Sequence, residues 1–145
     1  MKLNNYNNLL ELFFDQYEKQ DKNNIFLTNL GNPQHKLSWE KTYLLVNHLS
    51  SQISKDIKLG DRCILISENR PEWLISDIGI QSLGAISVGL YPTNPPPEVQ
   101  YLLSHSESKI LFAEDQEQVD KALEVIEDVP NLSKIVYFEE KGLFR

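Results

Sequence analysis

The chain has 145 residues, 41% of them apolar and 24% charged, with a formal net charge of −7. That is enough for one domain with a proper core, and the balance is that of a globular chain, not a disordered one. The negative surface argues against nucleic acid as a partner and against adsorption on anionic lipid, both of which call for a basic surface.

Residues 4–20 read as an amphipathic helix. Leu9, Leu10, Phe13, Phe14 and Tyr17 fall on one stripe at helical spacing. The opposite face carries Glu11, Asp15 and Glu18, where a membrane-surface helix would place lysine and arginine. The stripe is therefore expected to dock on the chain's own core. Ile25–Leu30 and Lys36–Trp39 flank Gly31-Asn32-Pro33, which predicts a hairpin. Ser38 can cap a second helix, with Glu40 in its first turn. Tyr43, Leu44, Val46, Leu49 and Ile53 supply the apolar face of that helix, which is expected to end near Asp56, before the turn at Leu59-Gly60-Asp61.

Beyond Arg62 the texture changes. Cys63–Ile66 is continuously apolar, as strands buried on both faces of a parallel sheet are. A polar loop follows, Ser67–Arg70, then a helix over Pro71–Leu83 punctuated by Gly84. Ala85–Leu90 reads as a second strand, Pro97–His105 as a helix and Lys109–Ala113 as a third strand. Gln116–Glu127 reads as a helix with Val119, Leu123 and Ile126 inward, and Ser133–Phe138 as a fourth strand. The fold class is α/β: an N-terminal helix and β-hairpin, then a mostly parallel sheet with right-handed βαβ crossovers. The expected division is helix, hairpin and helix over 1–60, the alternating unit over 61–138, and a tail, 139–145, with no cap or closing element.

Lys2 is not followed by an unbroken apolar stretch, and no later run is long enough to span a membrane. A cytoplasmic location is the expectation. Cys63 has no partner for an internal disulfide and reads as a small buried hydrophobe. His35, His48 and His105 lie far apart, without Cys or Glu at ligand spacing, and read as surface or cap residues.

In an open parallel sheet, ligands bind beyond the carboxyl ends of the strands. Two loops leave strands in that direction. In Ser67–Trp73, Asn69 and Glu72 have capping-box spacing and Pro71 suits a first turn. Arg70 is left without a structural reason and is a rim candidate for ligand binding. In the second loop, prolines end the strand and hold Asn94–Pro96 extended, so the helix is expected to start at Pro97 with Glu98 near its positive end. Tyr91, Thr93 and Asn94 are the polar groups left at that rim. The six glycines, Gly31, Gly60, Gly79, Gly84, Gly89 and Gly142, are dispersed, and no phosphate-binding loop or nucleophile elbow occurs. Motifs alone therefore define an α/β domain with no visible catalytic or metal site.

Longer stretches say more. Gly60-Asp61-Arg62-Cys63-Ile64-Leu65-Ile66-Ser67-Glu68-Asn69-Arg70-Pro71-Glu72-Trp73 resembles the early strand–loop–helix of the adenylate-forming (AMP-binding) acyl-CoA synthetases. So does Gly79–Thr93, and its continuation Asn94–Ser106, with the run of three prolines, resembles the long-chain fatty-acid–CoA ligase branch. Lys109–Asp115, and the hairpin and helix around Leu37-Ser38-Trp39, fit the same pattern, so the resemblance runs in order through nearly the whole chain. It implies a family that activates a carboxylate with ATP, releases pyrophosphate, and passes the acyl group to coenzyme A, with magnesium neutralising phosphate charge. The family's Ser/Thr/Gly-rich phosphate loop and its nucleotide-holding residues lie downstream of these motifs and have no matching positions here. The resemblance thus assigns no catalytic or metal-binding residue, and it places ATP, Mg2+, coenzyme A and fatty acid only in a full-length context. It implies an N-terminal piece of a ligase, inactive by itself, whose partner is the C-terminal remainder and whose full-length form could sit peripherally at a membrane. The alternatives are a stand-alone binding or regulatory module, a split ligase's complement, or an unrelated flavodoxin-like or Rossmann-like domain.

Overall fold

The computed structural model describes residues 6–29 and 31–140. The expected helix start at Asn4, the strand end at Leu30 and most of the 139–145 tail lie outside them.

Helix α1 spans Leu9–Lys19, and the Asn8 side chain caps it by accepting the Glu11 N–H at 2.9 Å. Phe13 and Tyr17 are buried as the stripe predicts, but Leu9 is 67% exposed. Strands β1 (Ile25–Thr28) and β2 (Lys36–Ser38) form the antiparallel hairpin. Helix α2, Trp39–Ile53, starts where expected, with Ser38 Oγ accepting the Lys41 N–H at 3.1 Å. It ends at Ile53, not at Asp56. Thr42, Val46 and Ile53 are buried, whereas Leu44 is 52% exposed. The spacing explains the correction: 42, 46, 49 and 53 define the buried stripe, and 44 falls off it. The Tyr17 hydroxyl donates to Glu40 at 2.7 Å and its ring stacks on Tyr43 at 3.9 Å, which joins α1 to α2.

Four parallel strands form the main sheet: β3 (Arg62–Ile66), β4 (Ile86–Leu90), β5 (Ile110–Ala113) and β6 (Lys134–Tyr137), in the order β4-β3-β5-β6. Cys63–Ile66 and Ile110–Ala113 are fully buried, so the two apolar runs are the inner strands. Helix α3, Pro71–Gln81, connects β3 to β4; α4, Pro96–Ser106, and α5, Gln116–Glu124, lead to β5 and β6. Residues of alternate parity face opposite cores. Ile64, Ile66 and Leu111 pack with Val99 and Leu103 of α4 and Ala122 of α5. Cys63, Leu65, Ile110 and Phe112 pack with Ile53 of α2 and Ile80 of α3. Burial pushes the Cys63 thiol up to about 11.

Three further expectations are corrected. Helix α3 starts after an N-cap that is Arg70, with no side-chain cap bond, so Asn69 does not form the predicted capping box. Helix α4 begins at Pro96 rather than Pro97: Pro95 stays extended as the N-cap, and Pro96 has no N–H to lose in a first turn. Helix α5 ends at Glu124, and a single 3-10 turn, Ile126–Asp128, follows. That break rotates the inward set, so Val119, Ala122, Val125 and Val129 are buried while Leu123 and Ile126 are 50% and 37% exposed. Gly84 does punctuate as expected. Its φ is +70°, and a Cβ there would lie 2.4 Å from Leu59 Cδ1.

Candidate functional site

Parallel register brings every strand's carboxyl end to one rim. Ile66 pairs with Leu90 and Ala113, and Ala113 with Tyr137. The residues that follow these strands, Ser67–Arg70, Tyr91–Asn94, Glu114 and Glu139, therefore gather on one side of the sheet.

Arg70 is at the centre of this rim. Its side chain is only 11% exposed. The guanidinium donates to Glu72 at 2.8 Å, to Glu139 at 2.8 Å and to Glu114 at 3.3 Å. It also lies 5.7 Å from the Phe138 ring centroid. The second oxygen of Glu114 accepts the Glu68 backbone N–H at 2.7 Å. One arginine thus fastens the loop after β3 to α3 and to the ends of β5 and β6. Partial burial alone would favour a neutral guanidine, but the bonds to Glu72 and Glu139 outweigh it and raise the Arg70 pKa. Burial likewise pushes Glu72 up, and the Arg70 bond more than reverses that, holding its carboxyl below the ordinary 4.5.

Beside this network a cleft of about 310 Å3 opens between the ends of β3 and β4, lined by Ser67, Glu68, Asn69, Trp73, Leu90 and Tyr91 among others. Gly89 forms part of its wall, with a hypothetical Cβ there at 3.5 Å from Trp73 Cζ2. Tyr91 is 80% exposed at the mouth. Thr93 is exposed on a turn and does not line the cleft. The Asn94 side-chain amide donates to Glu98, the first-turn acid of α4, and its backbone N–H donates to the Tyr91 carbonyl at 3.0 Å. Lys121 of α5 reaches the Pro92 carbonyl at 2.5 Å. Of the four residues singled out from sequence, Tyr91 lines the cleft, Arg70 braces its wall, and Thr93 and Asn94 shape the adjoining turn. Sequence reasoning missed Trp73, Glu114, Glu139 and Lys121. The acids could have been found by noting that each directly follows a parallel strand or its last residues.

The charge at this rim has a chemical consequence. Glu72, Glu114 and Glu139 surround a single guanidinium that is bonded to all three of them. A polyphosphate brought here would face carboxylates, not a cradle of free N–H donors. Among the described residues no three metal-ligating side chains converge. A triphosphate does not fit the carboxylates gathered at this rim.

Comparison with known proteins defines the class. Residues 13–143 match the family described as AMP-binding enzyme. The long-chain-fatty-acid–CoA ligase FadD15 of Mycobacterium bovis is 33% identical over 90 residues, 62% of this chain and 15% of that protein. The long-chain-fatty-acid–CoA ligase ACSBG1 of Rattus norvegicus is 24% identical over 139 residues, 95% of this chain and 17% of that protein. The crystal structure of the anthranilate CoA ligase AuaEII, in complex with anthranoyl-AMP, shares the fold at a TM-score of 0.83 and 23% identity, covering 92% of this chain and 25% of that one.

The chain belongs to the AMP-binding enzyme family. It spans 15–17% of the length of these two curated relatives. Among its described residues no helix is long and apolar enough to cross a membrane.

Proposed function

We propose that this chain is the opening section of an ATP-dependent long-chain fatty-acid–CoA ligase and forms no acyl-adenylate alone. The observation that carries the reading is a family match over residues 13–143 in a chain that spans only 15–17% of the curated ligases it resembles. Its own residues supply a scaffold. The Arg70 network holds the loop after β3, and the prolines hold the loop after β4, so that the walls of the rim are fixed before any ligand arrives. Stabilising charge on a reacting phosphoryl group needs preorganised donors and a metal, and the rim described above presents carboxylates instead. ATP, magnesium and coenzyme A belong, in this reading, to the sections that follow in full-length ligases, and the working location is cytoplasmic or peripheral to a membrane.

Fatty-acid-dependent ATP–pyrophosphate exchange tests it. The 145-residue chain is expected to show only background exchange, and exchange is expected to appear when it is combined with a polypeptide carrying the rest of a ligase of this family. Exchange by the chain alone would overturn the reading.

A second reading rests on the closure of the core. Eight strand residues from Cys63–Ile66 and Ile110–Ala113 are fully buried between two helix layers, as in a domain that folds unaided. A stand-alone binding module from this family would melt cooperatively as a monomer at high concentration and would leave exchange by an added remainder unchanged.

A further inference from the structure

A second cavity lies away from the rim, between α1, β1, the first turn of α2 and α3. Its volume is about 250 Å3, and it shares no lining residue with the cleft beside the Arg70 network. Three aromatic rings line it. Phe26 stacks on Trp39 with centroids 3.9 Å apart, and Phe13 lies 5.9 Å from each. One face of α3 lines it too, where Leu74, Asp77, Ile78 and Gln81 recur at helical spacing. Leu9, 67% exposed, stands at its mouth.

Asp77 is out of place in such company. It is the only charged residue lining the cavity, and it is 9% exposed. It accepts bonds from the Ser87 hydroxyl and from the Gln81 amide, the latter at 2.8 Å, and both go to Oδ1. Among the described residues nothing donates to Oδ2. That oxygen is not sealed in, because the one fully buried side-chain atom without a partner among them is Gln116 Oε1. Oδ2 is therefore open to a molecule from outside, and the cavity that Asp77 lines is where one can reach it.

The chemistry of the walls selects the occupant. A carboxylate oxygen short of a donor in a mostly apolar site is costly. An ammonium N–H would satisfy it with a charge-assisted bond. Aromatic faces attract the same cation. A carboxylate brought here would be repelled by Asp77, with no lysine or arginine in the lining to offset it. Drug-sized ligands occupy about 300–1,000 Å3, so this cavity suits something smaller, a single ring or short chain ending in an amine.

We propose that this cavity binds a small primary ammonium on an apolar body, the ammonium donating to Asp77 Oδ2 and the body packing against Phe13, Phe26 and Trp39. The site stands independently of the ligase reading, since it uses none of the rim residues.

Phenethylamine is the probe, titrated into the 145-residue chain by calorimetry. One-to-one binding is expected. Hydrocinnamate and phenethyl alcohol have a similar body but no ammonium, and should bind about tenfold more weakly or worse. Nα-acetyl-lysine amide, the ammonium as a partner protein would offer it, should also be about tenfold weaker, because it lacks the ring. Asp77→Asn can still accept from Ser87 and Gln81 through its remaining oxygen, so the fold should hold, as urea denaturation checks, while affinity for the amine falls about tenfold. Leu9→Lys alters an exposed residue and adds a cation at the mouth, so it tests the site even where Asp77→Asn unfolds. Affinity should fall about threefold or more. The chain has two tryptophans, which locate the ligand by NMR. The Trp39 indole N–H resonance should move and that of Trp73, in the other cleft, should stay. No binding at millimolar amine, equal binding of the acid, the alcohol or the lysine amide, unchanged affinity in folded Asp77→Asn or in Leu9→Lys, or movement of Trp73 alone would each overturn the proposal.

Discussion

The loops that leave β3 and β4 lie side by side and are held in place by different physics. The β3 loop is fixed from outside, by one largely buried arginine that reaches three carboxylates on three other segments. The β4 loop is fixed chiefly from within, by Pro92, Pro95, Pro96 and Pro97, with one bond from outside, Lys121 to the Pro92 carbonyl, while Tyr91 stands 80% exposed. A tertiary network can be lost in a single substitution. Backbone stereochemistry is distributed over several residues and hardly depends on the rest of the fold.

Removing the guanidinium should break this contrast most sharply. Arg70→Met is expected to destabilise the chain by about 2–3 kcal/mol. Breaking a buried pair costs roughly 3–5 kcal/mol, but Glu139 is 47% exposed and its share is screened. The midpoint of urea denaturation should fall with the slope unchanged. The Glu68 amide, held through Glu114, should lose its protection from hydrogen exchange, while the amides of α4 keep theirs. Equal loss in both loops would show that they are one unit.

Acid should weaken the same network by a smaller amount. Glu72 has a folded-state pKa below its ordinary 4.5. A lowered carboxylate pKa contributes stability that is present above the unfolded value and lost as pH falls through the folded one. The gap in stability between the native chain and Arg70→Met should therefore be full above about pH 4.5 and narrow below it. Asp61 is also lowered, chiefly by its bond from Lys109 at 2.8 Å. Because it sits at the other end of the strands, its contribution should be lost in both proteins alike. A gap that stayed constant from pH 7 to pH 3 would remove Glu72 from the network.

This contrast also sets what was legible in the sequence. Strand order aside, the parallel sheet could be read from Cys63–Ile66 and from the alternation after it, because burial on both faces leaves a local apolar signature. The proline loop was legible for the same reason, since proline acts on its immediate neighbours. Its helix start was misplaced by only one residue. Arg70 was different. Asn69 and Glu72 at capping-box spacing suggested a local explanation, yet Glu72 pairs with Arg70 and the other partners lie 44 and 69 residues away. No pattern along the chain encodes such a meeting. It arises only once β5 and β6 are placed beside β3. Leu44 and Leu123 went wrong more simply, because an apolar residue near a helix face was counted on it.

The smallest effect belongs to the prolines. Pro96→Ala keeps the helix start, since alanine is tolerated in a first turn and Glu98 remains near its positive end. What changes is the unfolded chain, which gains freedom that proline denied it. Such a change is worth about 0.4–1 kcal/mol. Pro96 and Pro97 supply the first two residues of α4, and Pro95 precedes them as its extended N-cap. The double variant Pro92→Ala, Pro96→Ala should cost close to the sum of the singles, because the two prolines are not adjacent, each restrains only itself and its own predecessor, and they share no side-chain partner. In the Arg70 network the same test should fail. There Glu114→Gln and Glu139→Gln remove partners of one guanidinium, and the second loss leaves it with a different set of neighbours from the first. Additive proline variants beside non-additive carboxylate variants, measured by urea denaturation, would establish that one wall of the cleft is built by the chain's stiffness and the other by its tertiary structure. Coupling of more than about 0.5 kcal/mol between the two prolines would end that distinction.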